Sequence, residues 1–242
     1  MRLLFVLILM LTANPALANC RHALILAIDI SASVTWKEYR MQQRSLAAAL
    51  RDPEVVDLIL SDPSQPVAML AFEWAGNRSQ ALSSDWIELT DLEKIETFAS
   101  RIENFSSERN TYRTAIGQAL QFSKFQFDRG PDCLKRTIDV STDGKNNVIP
   151  KPETVYLAGG FEDIVVNTLS IGEETILPGA EVKNRNLLAY HQRFVNHGLG
   201  SFTIPAEGFA DYQRAMKRKL IRELSPLALS QIQEERLFAS KP

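Results

Sequence analysis

The chain has 242 residues, 45% hydrophobic and 23% charged, which suits one substantial globular domain and excludes a composition too polar to fold. Acidic residues outnumber basic ones, 29 to 27, so the basic excess expected of a nucleic-acid-binding chain is missing. Two cysteines, and three histidines without ligand spacing, argue against a zinc enzyme.

The opening stretch, MRLLFVLILMLTANPALANC, carries Arg2, an apolar run from Leu3 to Leu11, then Pro15 and the small-residue site Ala16 to Ala18. That order predicts a cleavable secretory signal over 1–18. Its apolar core is too short to span a bilayer. The expectation is therefore an exported protein, periplasmic or secreted, whose mature form starts at Asn19 and does not enter a membrane. Cleavage would remove Arg2, taking the 27 basic residues to 26 against 29 acidic, a net of −3. An even cysteine count in an exported chain suggests that Cys20 and Cys133 pair.

Strand-like and helix-like segments then alternate. HALILAI (22–28) reads as a fully buried strand, and WKEYRMQQRSLAAALRD (36–52) as a helix with apolar residues at helical spacing. VAMLAFEW (67–74) is a second strand and the more polar QALSSDWIEL (80–89) a third. The short link between them suits a hairpin, which makes the third strand an antiparallel edge. Helices follow over 90–105 and 114–127, a fourth strand over 135–142, and a short helix over 152–160 that starts at Pro152. Strands over 163–171 and 200–206 and a long helix over 209–224 complete the pattern, while 172–186 reads as an irregular loop. The basic run from Arg214 reads as the solvated face of that last helix. Such alternation predicts one α/β domain over 19–242, a doubly wound, mostly parallel six-stranded sheet with helices on both faces.

In sheets of this kind ligands bind at the carboxyl ends of the strands. Asp29, Ser31 and Ser33 follow the first strand, Asp143 follows the fourth, and Thr114 opens the helix leading into it. Each feature taken singly has a plain structural reading. Thr35 with Glu38 forms a capping box beside Ser33, Thr114 suits a helix N-cap, and TDGK suits a turn.

Taken together, DxSxS, the Thr114 of TAIGQAL and the Asp143 of STDGKNN resemble the von Willebrand factor A-type domain, with element order agreeing from about Cys20 to Leu224. The stretches TAIGQAL, STDGKNN and GSFTIPAEGFADYQRAMKRKL resemble more narrowly an uncharacterised bacterial group of exported proteins with this domain. The resemblance implies strand order 3-2-1-4-5-6. It also implies a metal-ion-dependent adhesion site made by Asp29, Ser31, Ser33, Thr114 and Asp143, with Thr111 a rival for the threonine. Mg²⁺ or Mn²⁺ would suit an all-oxygen set, and a partner's carboxylate would complete the sphere. The function so implied is metal-dependent binding of a protein or peptide, with no catalytic residue. Two alternatives are a metal-dependent phosphate-ester hydrolase using Asp29, and a scaffold with a vestigial site. In the implied sheet order, strands one and four are neighbours. Counting back from Asp29 and Asp143 then puts Cys20 and Cys133 side by side at the far rim, as a disulfide.

Overall fold

The computed structural model describes residues 20–77, 79–107 and 113–225. The signal segment, Asn19, Arg109 and Thr111 lie outside them. The strands are β1 (Cys20–Asp29), β2 (Val67–Trp74), β3 (Gln80–Leu89), β4 (Cys133–Thr142), β5 (Ile164–Ile171) and β6 (Thr203–Ala206). The helices are α1 (Trp36–Leu50), α2 (Pro53–Ile59), α3 (Leu92–Asn104), α4 (Ile116–Phe127), α5 (Pro152–Leu157), α6 (Ala180–Tyr190) and α7 (Tyr212–Leu224). The sheet order is β3-β2-β1-β4-β5-β6, with β3 alone antiparallel.

Every residue of β1 is buried, because the strand sits mid-sheet with helices over both faces. Strand alternation divides its side chains. Leu24, Leu26 and Ile28 enter the core under α1, α2, α3 and α7, while Ala23, Ile25 and Ala27 enter the core under α4 and α5. The capping box is present: the Thr35 hydroxyl accepts from the Glu38 N–H, and Glu38 accepts from the Thr35 N–H at 2.8 Å.

Cys20 and Cys133 open β1 and β4, stand in register and form a disulfide with Cα atoms 4.6 Å apart. It lies at the rim opposite Asp29 and Asp143. Among the described residues no helix is long and apolar enough to cross a membrane.

Three expectations need correction. Residues 172–186 are not all irregular, since α6 begins at Ala180. It hid because only Ala180 of the helix is buried, so no apolar stripe marks it, and Gly179 precedes it at φ +79° without a side-chain cap. The helix is instead fastened by Asn184, whose amide accepts from the Glu173 N–H at 2.8 Å and donates to the Glu173 carbonyl at 2.9 Å. The helix read over 36–52 ends at Leu50, and α2 follows at once, started by Asp52 as N-cap and Pro53 in its first turn.

The third correction concerns α7. Arg214, Arg218 and Arg222 are exposed, but Lys219 in the same basic run is completely buried. Its Nζ lies 2.7 Å from Asp139 of β4 and 2.8 Å from Glu223, and Asn167 of β5 donates to the same Glu223 oxygen at 2.8 Å. Lys219 thus faces two buried carboxylates, and the Lys135 ammonium stands beside the group, donating to the Glu223 backbone carbonyl at 3.2 Å. Burial pushes Asp139 up to about 7, with Lys219 pulling down and Glu223 pushing further up. The unfolded value is about 3.9, so the folded protein holds the proton more tightly. The stability this group contributes is full below about pH 4 and lost as pH rises towards 7. Asp139→Asn leaves a one-to-one pair of Lys219 and Glu223. It should flatten that decline and be more stable than wild type at pH 8 by about 1 kcal/mol or more. Urea unfolding of both proteins at intervals from pH 4 to 8 checks this; a variant less stable at pH 8 would contradict it.

Candidate metal centre

Asp29 is the last residue of β1 rather than a residue beyond it, and its carboxylate is 0% exposed. Three donors orient it. The Ser31 N–H reaches Oδ1 at 2.7 Å, the Thr142 hydroxyl reaches Oδ2 at 2.5 Å, and Gln42 of α1 donates to the Asp29 backbone carbonyl at 3.1 Å. The chain turns after Ile30, leaving Ser31 buried and Ser33 exposed.

Thr114 comes from the other face of the sheet. The N-cap reading for it does not hold: Ala115 occupies that position without any side-chain cap. The freed hydroxyl lies 3.3 Å from Ser31 Oγ. Asp143 ends the chain of contacts, accepting from the Ser33 hydroxyl at 2.8 Å, and Ser33 lies 3.3 Å from Ser31. All five residues singled out in the sequence are therefore linked through contacts of 2.7–3.3 Å.

Residues that the sequence reading did not single out hold this cluster. Thr142 fixes Asp29 and also accepts from the Gly144 N–H at 3.2 Å. Gly144 packs so closely on Thr114 that a Cβ there would sit 3.0 Å from Thr114 Oγ1. The loop after β4 is tied to the start of α4 by the Asn147 N–H on the Thr114 carbonyl at 3.0 Å, and by Asn146 accepting from the Gly117 N–H at 3.2 Å. His191 donates its Nε2–H to the Gly144 carbonyl at 3.0 Å, and burial holds its imidazole down at about 4. It is a neutral brace. The repeated Asn in STDGKNN was the one available sign of this bracing.

The electrostatics are unbalanced. Burial, and then the nearby Asp143 carboxylate, push Asp29 up to about 7 against the donors that favour its charge. Burial also raises Asp143, which the Ser33 hydrogen bond partly offsets. Among the described residues no Lys, Arg or His forms an ion pair with either carboxylate. Two carboxylates and three hydroxyls are hard oxygen donors only. An octahedral Mg²⁺ with ligands at ~2.0–2.1 Å keeps neighbouring oxygens ~2.9 Å apart. The oxygen–oxygen contacts between side chains here, 2.8–3.3 Å, are of that size. The residues fit the metal that the resemblance implies.

The family model described as "Protein of unknown function (DUF1194)" matches residues 19–228. The chain belongs to that family. No curated protein matches the DUF1194 chain. Solved structures do, at low identity. Proximal thread matrix protein 1 from the mussel byssus, in a form with a zinc-occupied metal-ion-dependent adhesion site, is 15% identical with TM-score 0.53, covering 86% of this chain and 48% of that one. A von Willebrand factor type A protein from Catenulispora acidiphila is 15% identical with TM-score 0.55, covering 85% and 43%. An aerotolerance-related membrane protein from Bacteroides fragilis is 16% identical with TM-score 0.50, covering 82% and 98%. The DUF1194 chain thus has the von Willebrand factor A fold, and it spans about half the length of the first two of these proteins.

Proposed function

We propose that the chain is an exported, divalent-metal-dependent binding domain for a protein or peptide. Asp29, Ser31, Ser33, Thr114 and Asp143 would hold Mg²⁺ or Mn²⁺. The observation that carries this reading is the cluster of two carboxylates and three hydroxyls, in which no Lys, Arg or His among the described residues forms an ion pair with either carboxylate. An ion held there supplies a positive centre whose open position a partner's carboxylate completes. Burial sets the direction of approach: Asp29, Ser31 and Thr114 form the floor, and the partner arrives over exposed Ser33 and half-buried Asp143. Thr142 and Gln42 keep Asp29 oriented, while Asn146, Asn147 and His191 keep the β4 and α4 loops together. The leader pattern over 1–18 supports export, and so does the Cys20–Cys133 disulfide, a bond that persists in oxidising compartments.

Calorimetry with Mg²⁺ and Mn²⁺, paired with thermal unfolding, tests the reading. An ion present at a hundredfold its dissociation constant stabilises by about 2.7 kcal/mol. That corresponds to a midpoint rise of about 5–10 °C for a chain of this size. The rise should vanish with chelator, and capture of partners from native extract should require the ion. No heat and no midpoint change would leave the five residues a hydrogen-bonded cluster with no ion-binding role.

A further inference from the structure

We infer that Tyr190 and His191, where α6 passes into a π turn over His191–Val195, are positioning residues for the metal centre: they fix the backbone from which Asp143 reaches the ion. This rests on the metal-dependent reading above and adds to it residues that hold no ion themselves. The Asp143 carboxylate is weakly placed by its own contacts, since exposed Ser33 supplies the one side chain among the described residues that bonds it. Its position therefore follows the loop after β4. Each of the three residues after Asp143 meets the end of α6. The Gly144 carbonyl accepts from His191 Nε2 at 3.0 Å, the Lys145 ammonium stands 5.6 Å from the centre of the Tyr190 ring, and the Asn146 N–H faces the Tyr190 hydroxyl. Asn146 and Asn147 tie the far end of the loop to α4. Gly144, next to Asp143, is left to Thr142 and His191.

Two features of this segment make sense only if the Gly144 contact matters. The first is the imidazole. With Nε2 donating, Nδ1 of the fully buried His191 has no partner among the described residues, and a buried acceptor without a donor is destabilising. An apolar side chain would fill the same space without that loss, but it could not hold Gly144. The second feature is the turn. π turns are rare and cluster at functional sites. Here the Asn196 N–H reaches back five residues to the His191 carbonyl at 2.9 Å. Beyond it the chain is fastened to β5 and α5: Val195 is buried and its carbonyl accepts from the Tyr156 hydroxyl, Thr168 donates to Asn196 at 2.8 Å, and His197 exchanges backbone bonds with Val166 at 2.9 and 3.2 Å. The extra residue of the π turn spans these two anchors. A plain α turn would be one residue short, and either His191 would leave Gly144 or Val195–His197 would leave β5.

The test is calorimetric titration of Mn²⁺ into the full chain and four variants, well below each melting range, with metal-free melting midpoints alongside. His191→Met fills the space without a donor, and His191→Gln returns an N–H near the place of Nε2. Tyr190→Phe removes the hydroxyl that faces Asn146. Val195→Ala loosens the same turn from the core and leaves the Gly144 contact in place. Losing the partner of a metal ligand weakens the ion by ~10–100-fold; His191 acts one residue beyond the ligand, so His191→Met should raise the Mn²⁺ Kd by about tenfold. His191→Gln should stay near the wild-type Kd, and Tyr190→Phe should weaken the ion severalfold. Val195→Ala should lower the midpoint and leave Kd unchanged. Absence of a Mn²⁺ heat in the wild-type chain overturns the metal-dependent reading and this inference with it. A normal wild-type heat with Kd unchanged in His191→Met overturns the inference alone. Should His191→Met not fold, the half-buried Tyr190→Phe site decides in the same way. A shift in Val195→Ala or His191→Gln as large as in His191→Met equally overturns it, because the effect would then be general loosening.

Discussion

Replacing both cysteines, as Cys20→Ala with Cys133→Ala, should lower the stability of the fold by about 4–5 kcal/mol. The bridge closes a loop with a sequence separation of 113 residues. In the chain-entropy model a loop that long restricts the unfolded chain by about that amount. Alanine is the better replacement, since Cys20 and Cys133 lie in the apolar core under α4 and a serine hydroxyl there would need a partner. Urea unfolding should show a lower midpoint and a steeper slope, because the unlinked chain exposes more surface on unfolding. Dithiothreitol should reproduce the shift in wild type and leave the variant unchanged. The bridge and the metal centre occupy opposite rims of the sheet, so well below the melting range the variant should bind ions as wild type does. A stability loss under about 1 kcal/mol would mean that the unfolded chain is already compact without the bridge.

That bridge also shows why much of the fold was legible beforehand. A parallel pair in register keeps a constant offset along its length. Cys20 pairs with Cys133 and Ile28 with Ser141, both 113 apart, so Asp29 falls level with Thr142 and Asp143 lies one residue further on. Cys20 lies nine residues before Asp29 and Cys133 ten before Asp143, and that one-residue difference is the step by which Asp143 leaves the strand. Apolar runs buried on both faces, such as ALILAI in β1, announce central strands because nothing else in a globular domain is so uniformly dry.

What stayed hidden lacked that kind of signal. The α6 helix is held by Asn184, one buried alanine and Tyr190 at its end, and hydrophobic period cannot report a helix fastened by a side-chain amide. Buried Lys219 looked like its exposed neighbours Arg218 and Arg222, because its partners Asp139 and Asn167 come from strands far off in sequence. Thr114 had two equally good local readings. The contact that decides against the cap is with Ser31, 83 residues away. Thr142 went unremarked although it is the neighbour of Asp143, since nothing in the sequence says that its side chain turns back towards Asp29.

Asp29→Ala and Asp29→Asn should both abolish the Mg²⁺ and Mn²⁺ heats, the largest functional effect expected of any single change. Asp29 is one of only two carboxylates in the set and the only one on its floor, so removing it takes away half the formal negative charge that faces the ion. Ser31→Ala and Thr114→Ala each remove a neutral donor, and should weaken the ion without abolishing it. The two Asp29 variants should part company in metal-free stability. Alanine strands the Ser31 N–H and the Thr142 hydroxyl, both of which now end on the carboxylate. A buried donor left without an acceptor costs about 1–3 kcal/mol. Asparagine keeps the volume and one acceptor oxygen while removing a buried charge that crowds Asp143. Its metal-free melting midpoint should lie within a few degrees of wild type and above that of the alanine variant. Calorimetry and thermal unfolding, with and without metal, read both effects. A normal metal heat in Asp29→Asn would move the ion away from β1 altogether, and a metal-free midpoint lower in asparagine than in alanine would mean that Ser31 and Thr142 find other acceptors once the carboxylate is gone.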